Sequence, residues 1–294
     1  MSLPIRIQLP QNFLKEETIC GFRVTEKRKK IWAVELDLVQ RFVDVCRKYD
    51  IHYSMYWGSI LGAVRHKGFI PWDDDFDFIV DRENFNKLLK IPQAEFKYPY
   101  FLQTALSDRS RFCPYARFRN SETTAIISGC ETRDYNNGIY IDVYVFDGVV
   151  SSMIWARLHN YIKHITIAPL LALTGEKYRF IRPFAKLLPY KVWWWIYSRS
   201  VALYTPFTDR IGAAYSFKMV DHLQYWTTKD DFTNTINLDF EFMCLPAINN
   251  YLRFLRSRYG DYMEFPPLDE RGKWHDGQIE FEPDVPYAEF LKRH

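Results

Sequence analysis

At 294 residues the chain is long enough to bury a full core and to carry an accessory region beside a main domain. An aromatic content of 18%, with 9 Trp, 20 Tyr and 23 Phe, argues against disorder, and a formal net charge of only +3 argues against a global nucleic-acid footprint. The 5 cysteines (Cys20, Cys46, Cys113, Cys130, Cys244) are scattered and form no C-x-x-C pair, so neither a zinc cluster nor a disulfide framework is signalled and a reducing cytoplasm fits best.

The N-terminal MSLPIRIQLPQNF has no apolar core of a signal peptide. Residues 27–49 read as an amphipathic helix, with Ile31, Val34, Leu38, Phe42, Val45 and Tyr49 at helical spacing. Ile51–Trp57 alternates as a strand, Gly58-Ser59 breaks it, and Ile60–Arg65 reads as a short helix. Phe76–Val80 is a second strand, and Asp81 is placed to cap a helix over 82–90. Tyr115–Arg119 and Ile139–Phe146 are further strands, the second entered through the turn signal Asn136-Asn137-Gly138. This mixture predicts an α/β or α+β catalytic core over residues 1–150.

Composition changes after Val150. Residues 151–200 hold eight basic residues against one acidic one, Glu176, and four tryptophans, Trp155, Trp193, Trp194 and Trp195. That segment carries +7, which leaves −4 on the rest of the chain. Residues 151–230 read as a basic, aromatic, mostly helical insert. Residues 231–294 read as a C-terminal segment that packs on the core, with a wrapping tail. The run Ile165–Leu173, broken by Thr166 and Pro169, falls short of the ~20 residues a bilayer span needs. Basic residues with Trp and Tyr also suit a membrane surface, so 151–200 is a candidate for peripheral association at the inner face of the membrane. A helical cap packed on the core, or a groove for a polyanionic glycan, are the other readings.

The chemistry concentrates in WGSILGAVRHKGFIPWDDDFDFIVD, residues 57–81. Asp75 and Asp77 stand two apart on a predicted strand and so share a face, with Phe76 and Phe78 turned to the core. Two like charges on one face call for a divalent cation, and magnesium favours one or two carboxylates plus substrate phosphates. Gly58 and Ser59, before a helix, predict a phosphate turn with free N–H groups and a hydroxyl donor. Arg65, His66 and Lys67 follow as phosphate-binding candidates. Asp142 lies between Ile141 and Val143 in GIYIDVYVFD and is a third carboxylate, read as completing the metal set and as a base toward an acceptor hydroxyl. Two Mg²⁺ or Mn²⁺ ions about 3.5–4 Å apart would clamp the attacking and leaving oxygens. Taken alone, Asp73-Asp74-Asp75 also reads as a solvated turn, and Asp142 as a hydrogen-bonded structural carboxylate.

At these residues the chain resembles the LicD family of phosphocholine and related phospho-substituent transferases, akin to fukutin-type proteins. The resemblance rests on WGSILGAVRHKGFIPWDDDFDFIV, on GIYIDVYVFD, and on LPAINNYLRFLRSRYGDYMEFPP near the C-terminus. It implies a nucleotidyltransferase-fold mixed sheet flanked by helices, with Gly58-Ser59 as the phosphate turn and Asp75, Asp77 and Asp142 as metal ligands. It also implies transfer of phosphocholine from CDP-choline onto a teichoic acid, lipopolysaccharide or capsule, free or lipid-linked. Ribitol phosphate, glycerol phosphate or phosphoethanolamine from other CDP-linked donors are alternative cargoes, and nucleotidyl transfer to another acceptor is a further one. Arg117 and Arg119, in YARFRNSETT, alternate on one strand face and are candidates for donor phosphates or for structural salt bridges. The near-neutral charge and the absence of a nucleic-acid motif speak against a nucleic-acid partner.

Overall fold

The computed structural model describes residues 3–110, 112–128, 135–272 and 278–293. A hairpin of β1 (Glu17–Ile19) and β2 (Phe22–Val24) leads into helix α1 (Glu26–Lys48). The side chain of Thr25 caps α1 by accepting from Arg28 N–H, Glu26 sits in the first turn, and Arg47 and Lys48 sit in the last, so both ends suit the helix dipole. The predicted apolar stripe is the buried one: Ile31, Val34, Leu38, Phe42 and Val45 all lie in the core.

β3 (Ser54–Met55) is much shorter than the alternation over 51–57 predicts. Tyr56 N–H already donates to Asp77 O, and Trp57 takes a left-handed φ of 45°, so the chain turns there into α2 (Trp57–Arg65). Gly58 and Ser59 therefore lie inside the first turn of α2 instead of before it. β4 (Asp77–Asp81) runs into α3 (Arg82–Leu88), capped as expected by Asp81, whose carboxylate accepts from Asn84 N–H at 2.9 Å.

The central sheet gathers β4, β5 (Tyr100–Gln103), β6 (Ala116–Asn120) and β8 (Ile139–Gly148), with β7 (Thr124–Ile127) off to one side. β8 is the hub. It pairs parallel with β4, antiparallel with β6, and near its end antiparallel with β9 (Arg210–Gly212), which pairs in turn with β10 (Trp226–Thr228). Between them come α4 (Met153–Thr174), α5 (Arg182–Ala185) and α6 (Tyr190–Val201), so the basic aromatic stretch is helical up to Val201, and residues 210–228 then extend the sheet. α7 (Met219–Leu223) and α8 (Lys229–Thr233) flank β10. A second hairpin, β11 (Ile236–Phe240) with β12 (Met243–Ala247), packs against α2 and β3. After α9 (Tyr251–Tyr259) the chain returns as β13 (Ile279–Glu282), antiparallel to β7, and ends in α10 (Tyr287–Arg293). The expected α+β class, a mixed sheet flanked by helices, is borne out.

Candidate active site

Sheet register aligns the charged side chains. Asp77 on β4 stands opposite Asp142 on β8, and Asp142 stands opposite Arg117 on β6. Residues paired across neighbouring strands project from the same face, so Asp77, Asp142 and Arg117 form one row. Their neighbours Phe78, Val143, Ala116 and Phe118 face the core and are fully buried.

The row is electrostatically uneven. Arg117 Nε donates to Asp142 Oδ1 at 2.8 Å, and Tyr144 O–H donates to Asp142 Oδ2 at 3.2 Å, so both oxygens of Asp142 are engaged. The Arg117 guanidinium lies over the Tyr140 ring at 4.3 Å. Asp77 has no such cation: its Oδ1 is buried without a hydrogen-bond partner. Burial first, and then the charges of Asp75, Asp142 and Asp73, push the Asp77 carboxyl well above the usual carboxylate range. Glu35 on α1 is 1% exposed, and burial together with Asp75, Asp74, Asp73 and Asp77 raises it in the same direction. Burial and the mutual repulsion of these carboxylates thus act in the same direction.

Two segments hold the acids in place. Arg28 and Trp32 Nε1, both from α1, donate to the Asp73 carbonyl at 2.9 and 3.0 Å. The Ser59 hydroxyl accepts from Asp77 N–H at 2.8 Å, and Ser59 is 4% exposed. Ser59 thus positions the start of β4, where the sequence predicts a direct phosphate donor. Gly58 lets the Asp73 carboxylate approach closely: a Cβ there would lie 2.8 Å from Asp73 Oδ2 and would displace that side chain.

In front of Asp75 and Asp77 opens a cleft of about 730 Å³. One wall comes from Trp57, Gly58, Arg65, Trp72 and Asp73, the other from Arg258, Tyr259, Tyr262 and Phe265. Arg258 stacks over Trp57 at 4.1 Å. Arg65 donates to the carbonyls of Tyr262 and Glu264 at 2.9 and 3.0 Å, which ties the two walls together.

Gly58, Arg65, Asp75 and Asp77 line this cleft. Four other expected phosphate ligands are placed differently. His66 accepts from Arg65 Nε at 3.0 Å, and burial, then Arg65 and Arg271, lower its pKa to about 4, so it is neutral near pH 7 and offers no cation. Lys67 is exposed, with a left-handed φ of 59°, and its carbonyl accepts from Glu241 N–H at the β11–β12 turn, outside the cleft wall. Arg119 is 0% exposed and donates to Gln103 Oε1 and the Gly138 carbonyl at 2.6 Å each, so it serves the core instead of a substrate phosphate. Arg117 is committed to Asp142, the salt-bridge alternative.

Sequence reasoning missed Glu35, Trp72, Arg258, Tyr259 and Phe265. Glu35 did carry a signal, because it falls on the apolar stripe of α1, four residues from Ile31 and three from Leu38. The cleft's far wall has no local signal; it depends on how α9 and the 260s loop return to α2.

Among the described residues no group of three His, Cys, Asp or Glu side chains is arranged to hold a metal ion by itself. The pair Asp75 and Asp77, with an orphaned buried carboxylate oxygen facing other acids, fits the magnesium habit of two protein carboxylates completed by substrate phosphates. Asp142, held by Arg117 and Tyr144, fits a supporting place beside that pair better than a third ligand position.

Fold and cleft define an α+β domain that gathers carboxylates on adjacent central strands beneath an aromatic, arginine-bearing opening. Residues 50–170 match the LicD/FKTN/FKRP, nucleotidyltransferase domain family, and this stretch contains two of the three segments that carry the resemblance, Trp57–Val80 and the one around Asp142. That stretch of the chain is similar to a LicD-family domain. It is similar to the lipopolysaccharide cholinephosphotransferase LicD of Haemophilus influenzae, 25% identical over 264 residues that cover 82% of this chain and 92% of that protein. It is also similar to an uncharacterised protein of Rickettsia prowazekii, 36% identical over 84 residues, 28% of this chain and 30% of that one.

Proposed function

We propose that the protein is a LicD-type phosphotransferase that moves phosphocholine from CDP-choline onto a hydroxyl of a cell-surface glycan, with a divalent cation. The observation that carries the reading is the placement of Asp75 and Asp77, one with an unpartnered buried oxygen, at the floor of an aromatic cleft with Arg65 and Arg258 in its walls. The near full-length similarity to a lipopolysaccharide cholinephosphotransferase supports the same reaction class and a lipopolysaccharide-like acceptor.

In this reading the acceptor oxygen forms a bond to the phosphorus that bears choline. The bond from that phosphorus to the bridging oxygen breaks, CMP leaves, and the hydroxyl proton passes to a carboxylate of the cluster. When bound, Mg²⁺ or Mn²⁺ would neutralise the charge developing on the phosphoryl oxygens, and Asp75 and Asp77 are the residues that would hold it. Arg258 and Arg65 supply fixed positive charge to the diphosphate. Arg117 keeps Asp142 oriented beside Asp77. The trimethylammonium group of choline suits aromatic walls next to acids, as Trp57, Trp72, Tyr259 and Phe265 stand next to Asp73 and Asp75.

The test is release of CMP from CDP-choline with glycan acceptor, with Mg²⁺, with Mn²⁺ and with chelator, in the wild type and in Asp75→Ala. Metal-dependent release that the variant loses supports the reading. Release from CDP-ribitol, CDP-glycerol or CDP-ethanolamine in place of CDP-choline would keep the chemistry and change the cargo. No release from any of these donors, with acceptor extract present, would sink it.

A further inference from the structure

The helical layer of residues 153–201 presents an apolar, positively charged surface to solvent. On α4, Ile154, Leu158, Tyr161 and Ile165 recur at i, i+4, i+7 and i+11, which makes one stripe, and they are 77, 44, 66 and 57% exposed. Trp155 adjoins the stripe at 54%. The opposite face of α4 carries Ala156, His159, Lys163, Ile167 and Leu170, all buried, so the helix is anchored to the body by that face. The turn before α5 and the α5–α6 segment add Phe180, Phe184, Leu187 and Trp195, 57 to 81% exposed. Large apolar side chains exposed together at this density mark an interaction site.

Within residues 151–200 the exposed charges have one sign. Seven of the eight basic side chains of residues 151–200, Lys163 excepted, are exposed: Arg157, Lys177, Arg179, Arg182, Lys186, Lys191 and Arg199. The eighth, Lys163, turns inward and donates to Ala214 O and Ser216 O. The segment's one acid, Glu176, is drawn in by Phe112 N–H at 2.6 Å. Protein interfaces are depleted of lysine at their core, yet here Lys186 and Lys191 flank Leu187 and Val192 directly. Tryptophan, tyrosine and leucine among long basic side chains match the interfacial zone of a bilayer, where the rings sit at headgroup depth and lysine and arginine reach the phosphates. No helix among the described residues is long and apolar enough to cross a membrane.

We infer that α4–α6 form a docking face for an anionic lipid surface, on which the protein lies without spanning it. This inference stands independently of the donor assignment. It is tested with the whole protein and vesicles of phosphatidylcholine, with and without phosphatidylglycerol. The wild type is expected to co-sediment with the anionic vesicles and to be released by high salt. Arg182→Glu/Lys186→Glu/Lys191→Glu should partition at least about a hundredfold more weakly, at roughly a factor of five per lost basic contact. Ile154→Ser/Trp155→Ser/Tyr161→Ser should lose the salt-resistant part of binding, with an unchanged far-UV spectrum showing that both variants fold. Brominated lipid should quench wild-type fluorescence, and Trp155→Phe/Trp195→Phe should abolish that quenching. Equal binding to neutral and anionic vesicles, or none to either, overturns the inference. So does a dimer in solution that either patch variant converts to monomer, which would make a second copy the occupant.

Discussion

Mild acid should destabilise this protein through a pair of buried histidines. His159 on α4 and His222 on α7 are 0 and 1% exposed, and neither Nδ1 has a hydrogen-bond partner. His159 Nε2 lies 2.8 Å from the Ser200 carbonyl, while His222 Nε2 lies 3.0 Å from the Ser216 carbonyl and 3.2 Å from Lys163 Nζ. A second proton on either ring would enter a dry site beside an ammonium. Burial first, then Lys163, lower both pKa values to about 4. Lys163, itself brought down to about 7 by burial, is fully charged at the pH where the histidines would have to protonate. The unfolded chain takes up these protons below its ordinary histidine value near 6.5, whereas the folded chain resists until about 4. The stability is therefore complete above about 6.5 and drains as pH falls toward 4. Between about pH 7 and pH 5 each histidine contributes a loss of about 2 kcal/mol, so the pair gives about 3–4 kcal/mol, allowing for their shared neighbour. Urea unfolding at the two pH values, in the wild type and in His159→Gln/His222→Gln, isolates this part from the carboxylates. The wild type should lose about 3 kcal/mol more than the variant on acidification. Equal losses in the two proteins would refute the reasoning.

Other outcomes follow from single contacts. Arg82 donates to both oxygens of the fully buried Asp147, one of them at 2.8 Å, and to Ser198 Oγ at 2.9 Å, so Arg82→Leu should cost about 3–5 kcal/mol in chemical denaturation by stranding a buried carboxylate. Arg117→Met should cost about 3 kcal/mol and Arg117→Met/Asp142→Asn less than the sum of its parts, as a double-mutant cycle would read. At Gly62 a Cβ would meet the Gly68 carbonyl oxygen at 2.3 Å, and backbone cannot swing aside, so Gly62→Ala should lower thermal stability by about 1–3 kcal/mol and lower CMP release by shifting the loop that carries Asp73 and Asp75. Gly58→Ala meets only the Asp73 side chain, so it should leave stability nearly unchanged while altering the cleft, read as a change in donor KM.

Local chemistry made some of this readable in the sequence and tertiary contact hid the rest. α1 was legible because its apolar stripe is periodic, α3 because Asp81 is a cap, and β8 because a turn signal precedes a mostly apolar strand. The sequence reading joins Asp142 to Asp75 and Asp77 in one set; the side-by-side placement of Asp77 and Asp142 comes from parallel β4–β8 register, which no local pattern states. Strand β3 was overestimated because alternation over 51–57 continues past the point where Trp57 adopts a left-handed φ. Basic residues near acids in sequence suggested phosphate ligands, but His66 and Arg119 are sequestered by burial and partners that only the folded chain supplies. Arg258 could not be singled out, since its place opposite Trp57 depends on a segment two hundred residues away.

That distance shapes how the protein comes into being on the ribosome. The carboxylates and the Trp57 wall are translated well before Arg258, Tyr259 and Phe265. A nascent chain can complete much of its sheet and still display a bare acidic floor with no opposing wall. The cleft is therefore incomplete until α9 and the residues after it have emerged to stand opposite Trp57.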